Sequence, residues 1–182
     1  MQATNFLENS KIVKSLLLTL LGTVLLTISA KLQTPFTLVP ATMQTFAVLF
    51  IGMVLGPKLA AASVILYLFQ GSMGLPVFAK GGGFMYIAGP TGGYLIGFIF
   101  AAYFSGMIKV KNDPIIIFIY LLLSISIAYI IGLLNLWNYM GFAKSFNKVF
   151  AIGSEAFLTI VIYKVLILSV LYKQICKITK LI

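Results

Sequence analysis

The chain has 182 residues, of which 61% are hydrophobic and only 9% are charged, and its mean hydropathy is +1.10. Soluble domains carry about 25% charged residues, so this composition excludes an ordinary soluble protein and indicates a membrane protein. The formal net charge of +10 comes from lysines that are scattered singly or in pairs, without arginine. Such a pattern is typical of residues that orient helices in a lipid bilayer, so nucleic acid is not expected as a partner.

Six apolar segments follow one another and predict an all-α integral membrane protein, a single polytopic domain over residues 1–182 with six transmembrane helices. The predicted spans are approximately 12–30, 42–55, 59–70, 89–108, 114–139 and 154–172. The first span follows Lys11 and Lys14 and resembles a signal peptide, but at about 19 residues it exceeds a typical signal core. We therefore expect it to be retained. The unbroken apolar runs argue against a transmembrane barrel, whose strands alternate.

Proline and glycine mark the connections between these spans. Pro35 and Pro40 predict a structured loop before the second span, and the sequence GPK at Gly56–Lys58 predicts a tight turn after it. The stretch GLPVFAKGGGFMYIAGPTGGYLIG, residues 74–97, then contains eight glycines. Its triple glycine is followed by phenylalanine and methionine, so it lacks the GK[ST] of a phosphate-binding loop. Any ATP hydrolysis would have to be supplied by another protein.

The lysines predict the orientation of the chain. Eight lie on the side that six spans would give to both termini: Lys11, Lys14, Lys58, Lys109, Lys111, Lys173, Lys177 and Lys180. Four lie on the other side: Lys31, Lys80, Lys144 and Lys148. Because cytoplasmic loops carry an excess of lysine, both termini are expected in the cytoplasm and the glycine-rich stretch outside.

The sequence lacks the residues that enzymes commonly use for catalysis. There is no histidine, the carboxylates are Glu8, Asp113 and Glu155, and Cys176 is the single cysteine. Paired carboxylates, histidine-dependent triads and Cys/His metal sites are therefore not available. We expect neither an enzyme nor a metal site nor a cofactor.

One charged residue, Lys164, falls inside a predicted span. It lies about 15 Å along the helix from Ser154, near the middle of the bilayer, where an ammonium costs about 2.5 kcal/mol or more without a partner. Glu155 is on the opposite helix face and cannot pair with it, and its place in the first turn is explained by the helix dipole. Two interpretations remain: Lys164 binds a carboxylate of a ligand, or its side chain snorkels to water or to backbone carbonyls.

The glycine-rich stretch divides into two parts. Gly89, Gly93 and Gly97 recur every four residues and predict a bare helix face for close packing. The preceding loop is too apolar for a solvated linker, and Phe78 and Tyr86 in it would cover a ligand. We interpret this loop as a flap over a cavity, with a passively packed loop as the alternative.

The segments VPATMQTFAVLFIGMVLGPK, YLFQGSMGLPVFAKGGG and GPTGGYLIGF, in this order and with Lys164, closely resemble the BioY family. Its members are the biotin-binding S components of energy-coupling factor (ECF) transporters. The resemblance implies capture of biotin outside the bacterial cell membrane, and inward release with a transmembrane coupling protein and two cytoplasmic ATPases. Relatives carry an aspartate three residues before the lysine, and Val161 stands there in this chain.

The resemblance also implies site residues. Lys164 would bind the carboxylate of biotin. The other candidates for contact with biotin are Thr42, Gln44, Tyr67, Phe78, Lys80, Tyr86 and Tyr94. The family docks its coupling protein on small residues of the first helix, for which the candidates are Ser15, Thr19, Gly22 and Thr23. Two alternatives stay open: a solitary vitamin transporter that needs no ATPase, and a structural membrane protein in which Lys164 pairs with a neighbouring subunit.

Overall fold

The computed structural model describes residues 2–33, 39–108, 113–142 and 145–181. Within these ranges the chain is helical and forms no strand, which confirms the all-α class. The elements are α1 (Gln2–Lys31), α2 (Gln44–Ser72), α3 (Phe84–Ile87), α4 (Gly92–Gly106), α5 (Pro114–Tyr139), α6 (Phe146–Phe150), a π-helical turn (Ala151–Glu155) and α7 (Ala156–Leu181). The predictions on Pro35, Lys109, Lys111 and Lys144, and on the side chains of Glu8, Glu155 and Lys180, lie outside the described residues and side chains.

Several helices are suited to a membrane. By length and apolar composition, four stretches of the described residues can cross one: Lys11–Lys31, Gln44–Ser72, Pro114–Tyr139 and Leu158–Lys177. The helix α4 is apolar but shorter. Large apolar side chains cover the outer faces, as at Leu21 and Leu123, which are each 64% exposed. Such faces are stable against lipid and not against water, so the protein is embedded in a membrane.

The helix α2 is not straight. Gly56 has a φ of +76° and a ψ of 172°, which is outside the helical region, and Pro57 follows it. The amide Nε2 of Gln44 donates to the hydroxyl of Tyr67 at 2.9 Å. A continuous helix would hold these two residues about 34 Å apart. The chain therefore reverses at Gly56, where the sequence predicts a turn, and residues 44–55 and 57–72 form two antiparallel arms.

The contact between α4 and α5 depends on glycine. A Cβ added at Gly93 would lie 2.3 Å from the Cβ of Asn135, and one at Gly97 would lie 2.5 Å from the Cα of Ala128. Gly89 does not belong to this face, because α4 begins only at Gly92. Instead, the carbonyl of Gly89 accepts a hydrogen bond from Asn135 Nδ2 at 3.0 Å.

We expect Gly97→Val to destabilise the protein. The new side chain would overlap backbone atoms of α5, which cannot move as a flexible side chain can, and overpacking of this kind costs about 1–3 kcal/mol. The midpoint of thermal unfolding in detergent should fall by about 5 °C or more. Ile96→Val is the matched control, because Ile96 faces outward. The unfolding midpoint of this variant should stay close to that of the wild type. An unchanged midpoint for Gly97→Val would contradict the close contact.

Candidate functional site

A cavity surrounds Lys164 at one end of the helix bundle. The segment before α2, the glycine-rich loop, the starts of α2, α4 and α7, and one residue of α5 enclose it. It is lined by Val39, Pro40, Ala41, Thr42, Gln44, Thr45, Ala79, Tyr86, Thr91, Tyr94, Leu95, Phe98, Tyr129, Gly153, Ile160, Val161 and Lys164. About 50 Å³ of its interior is open to a water-sized molecule.

The Lys164 ammonium points into this cavity. Its side chain is only 7% exposed. Nζ donates to the carbonyl of Thr42 at 2.6 Å and to Oγ1 of Thr45 at 3.2 Å. Both acceptors are neutral, and among the described residues no carboxylate lines the cavity. Neutral oxygens do not cancel the positive charge of a buried ammonium. Its electrostatic potential therefore extends into the cavity and attracts an anion.

A chain of hydrogen bonds leads from the cavity to the glycine-rich loop. Thr42 Oγ1 donates to Gln44 Oε1 at 3.1 Å and accepts from the Gln44 backbone N–H at 3.2 Å. The amide of Gln44 donates to Tyr67, whose hydroxyl donates to the carbonyl of Val77 at 3.2 Å. Thr42 and Gln44 line the cavity, whereas Tyr67 is fully buried behind Gln44 and orients it.

Aromatic residues form the rest of the enclosure. Tyr86 and Tyr94 line the cavity, and the Tyr94 hydroxyl donates to the carbonyl of Gly153 at 2.9 Å. Phe78 does not line it. Its ring is fully buried, stacks on Tyr86 with centroids 4.9 Å apart, and meets the edge of Tyr67 at 5.3 Å. The sequence-predicted residue Lys80 is exposed and also lies outside the lining.

The glycine-rich loop is tied to the end of α1. Lys31 Nζ donates to the carbonyl of Phe78 at 2.6 Å, and Gln33 Nε2 donates to the carbonyl of Ala79 at 2.9 Å. At its other end, the N–H of Gly83 donates to the carbonyl of Gly71 at 2.7 Å. The loop is therefore held both by these hydrogen bonds and by the buried ring of Phe78, and its interpretation as a flap stays a prediction.

The sequence analysis missed several lining residues, among them Thr45, Thr91, Phe98 and Tyr129. Thr45 had a usable signal, since it follows Gln44 in the first turn of α2 and shares its end of the helix. Tyr129 had none, because α5 is apolar on nearly every face and the sequence does not tell which face turns inward.

The candidate docking residues of α1 lie partly inside the protein. Ser15 and Thr19 are half-buried, whereas Thr23 is buried. A Cβ at Gly22 would lie 2.4 Å from Ser63 Oγ of α2. Gly22 and Thr23 are therefore buried within the chain itself, Gly22 against α2, and the docking prediction stays a prediction. Small residues suit a close contact within one chain as well as one between chains.

Apolar helices around a mostly apolar cavity with a few convergent polar groups are typical of a membrane protein that binds a small molecule. The model of the BioY family matches residues 1–181, and the chain belongs to this family. The match confirms the resemblance found in the sequence. Because BioY proteins are transporters, it also confirms that the chain is not an enzyme.

Individual relatives agree with this assignment. The chain is 35% identical to the probable biotin transporter BioY of Pyrococcus horikoshii, with 80% of this chain and 85% of the relative covered. It is 34% identical to that of Lysinibacillus sphaericus, with 76% and 74% covered. Among solved structures, the S-component for biotin from an ECF-type ABC transporter superposes with a TM-score of 0.80 at 24% identity, covering 93% of this chain and 94% of that one. The last comparison shows a shared fold.

Proposed function

We propose that the protein is the substrate-capture S component of an ECF-type transporter for biotin. One observation carries the proposal: a buried Lys164 ammonium points into the cavity, and its hydrogen-bond acceptors among the described residues are neutral oxygens. Biotin presents one carboxylate on an apolar chain and a fused ring system. The carboxylate would bind Lys164, and Tyr86, Tyr94 and Phe98 would cover the apolar parts.

Entry of biotin requires the cavity to open. Its free interior of about 50 Å³ is well below the roughly 300–1,000 Å³ of typical small-molecule sites. The segment 39–43 and the glycine-rich loop lie over it, and their backbone is non-helical apart from the short helix α3 in the loop. We infer that they separate to admit biotin, and that the carboxylate takes the place of the Thr42 carbonyl on Lys164.

We infer six membrane crossings: α1, the two arms of α2, α4, α5 and α7. An even number places both termini on one side, and the excess of lysine assigns that side to the cytoplasm. The cavity lies at the opposite ends of these helices, where α2, α4 and α7 begin. Biotin would thus enter from the extracytoplasmic side of a bacterial cell membrane.

The energy for release would come from other proteins. The chain lacks a phosphate-binding loop of its own. We propose an ECF coupling protein and cytoplasmic ATPases as its partners, with Ser15 and Thr19 of α1 as the docking positions that the chain itself leaves partly uncovered.

The test is equilibrium binding of radiolabelled biotin to the purified protein in detergent. We expect saturable binding that excess unlabelled biotin displaces and that thiamine and riboflavin do not. Displacement by either of these vitamins, or an absence of saturable binding by folded protein, would refute biotin as the ligand.

A further inference from the structure

A second cavity, which we call the α5–α7 crevice, lies on the other side of the wall that Tyr129 and Val161 form. These two residues line both cavities. The crevice has a free volume of about 230 Å³. Leu122, Ser126 and Ile130 of α5 form one side of it, and Leu158 and Ile162 of α7 form the other.

The crevice opens toward lipid. Ile130 is 59% exposed and Ile162 is 45% exposed, and both lie in stretches that can cross a membrane. Bilayer hydrocarbon and not water therefore surrounds the opening. An empty space in such a place loses van der Waals contacts along its whole lining, and an acyl chain restores them.

One polar atom marks the end of the crevice. Ser154, in the π-helical turn, is 2% exposed and lines the crevice. Its Oγ has no hydrogen-bond partner among the described residues. In contrast, the Ser126 hydroxyl donates to the carbonyl of Leu122 at 2.7 Å. Leaving a buried hydroxyl without a hydrogen bond costs about 1–3 kcal/mol of free energy. An acceptor from outside the chain would remove this cost at Ser154.

The shape of the crevice limits what can fill it. From Leu133 to Leu122 it follows α5 for about 16 Å. Ser154 lies toward the Leu133 end, because the adjacent Gly153 lies against the Leu133 side chain, and the rest of the α5 lining is apolar apart from Tyr129 and the satisfied Ser126. Its lining is mostly bulky, whereas a partner helix would require small residues for close approach. A mostly apolar channel whose one buried hydroxyl without a partner among the described residues lies at the Leu133 end fits an ester-linked acyl chain.

We propose that the α5–α7 crevice binds one acyl chain of a membrane glycerophospholipid, whose ester carbonyl accepts a hydrogen bond from Ser154. The chain then packs against Tyr129 and Val161, on the outer side of the wall of the first cavity. This lipid site is separate from the proposed biotin site, and neither depends on the other being correct.

Photo-crosslinking tests the proposal. The full chain is placed in nanodiscs of phosphatidylglycerol that carries a diazirine on one acyl chain, and labelled peptides are identified by mass spectrometry. We expect labelling concentrated on the crevice residues of α5 and α7. Ser126→Phe, which fills the crevice, should lower it about fivefold, while Ile119→Phe, at an outward position of α5 beyond the crevice, should not. Even labelling of all outward positions, unchanged by Ser126→Phe, would overturn the site.

A second comparison tests Ser154 and does not require the bulky variant to fold. An ether-linked diazirine lipid lacks the ester carbonyl and should label the wild-type crevice about fivefold less than the ester-linked lipid. In Ser154→Ala this difference should disappear. Equal labelling of the wild type by both lipids would overturn the hydrogen bond to Ser154.

Discussion

Lys164→Met is expected to weaken biotin binding by about 100-fold or more, because the ligand carboxylate would be buried without its ionic partner. Methionine keeps most of the length and volume of the side chain, so the packing of α7 against α2 is preserved. The dissociation constants of both proteins are measured by equilibrium binding of radiolabelled biotin, alongside thermal unfolding to verify the fold.

Lys80→Met is the matched control for this variant. It removes an equal charge from an exposed position outside the cavity lining, so its affinity for biotin should remain within a few-fold of wild type. A folded Lys164→Met protein with wild-type affinity would remove Lys164 from the mechanism, and the snorkelling interpretation would replace it.

The wild-type protein is expected to bind biotin about 30-fold or more tightly than the primary amide of biotin. The two ligands have nearly the same shape, but only biotin carries a charge. Because Thr42 and Thr45 offer Lys164 neutral oxygens, the ammonium gains most from an anion and little from an amide. Competition of each ligand against radiolabelled biotin measures the ratio.

Measuring the affinities of the same two ligands for Lys164→Met completes a thermodynamic cycle of two ligands and two proteins. In this variant the preference for acid over amide should fall to a few-fold, because the charge that distinguishes the ligands is gone. If the amide competes as well as biotin with the wild-type protein, then the carboxylate is not bound at the ammonium and the proposed pose is wrong.

Much of the fold could be predicted from local chemistry. The bounds of α5 are those predicted, since Asp113 caps its N-terminus, with Oδ1 accepting from the Ile115 N–H at 2.9 Å, and Pro114 fits the first turn. The reversal at Gly56 followed from the GPK sequence. The start of α4 was placed too early, because the sequence does not tell whether Gly89 continues a helix or precedes a turn.

The site was less predictable for reasons of geometry. Burial of Lys164 follows from its position in a helix, and Thr42, Gln44, Tyr86 and Tyr94 do line one cavity. The position of Phe78 could not be inferred from the sequence. Its ring lies against Gly71, where there is room for it only because glycine has no side chain. Contacts of this kind between distant segments leave no periodic signal.

The reversal at Gly56 also governs how deep the cavity lies. The first arm of α2 is about 18 Å long, well short of the roughly 30 Å of a hydrocarbon core. If this arm is one of the six proposed crossings, the irregular segment 39–43 supplies the missing depth, where its Thr42 carbonyl is tolerated because Lys164 donates to it. Inserting one helical turn into this arm would carry Thr42 about 5 Å away from Lys164. The length of the first arm of α2, which cannot span the hydrocarbon core by itself, thus sets how far the cavity reaches into the bilayer.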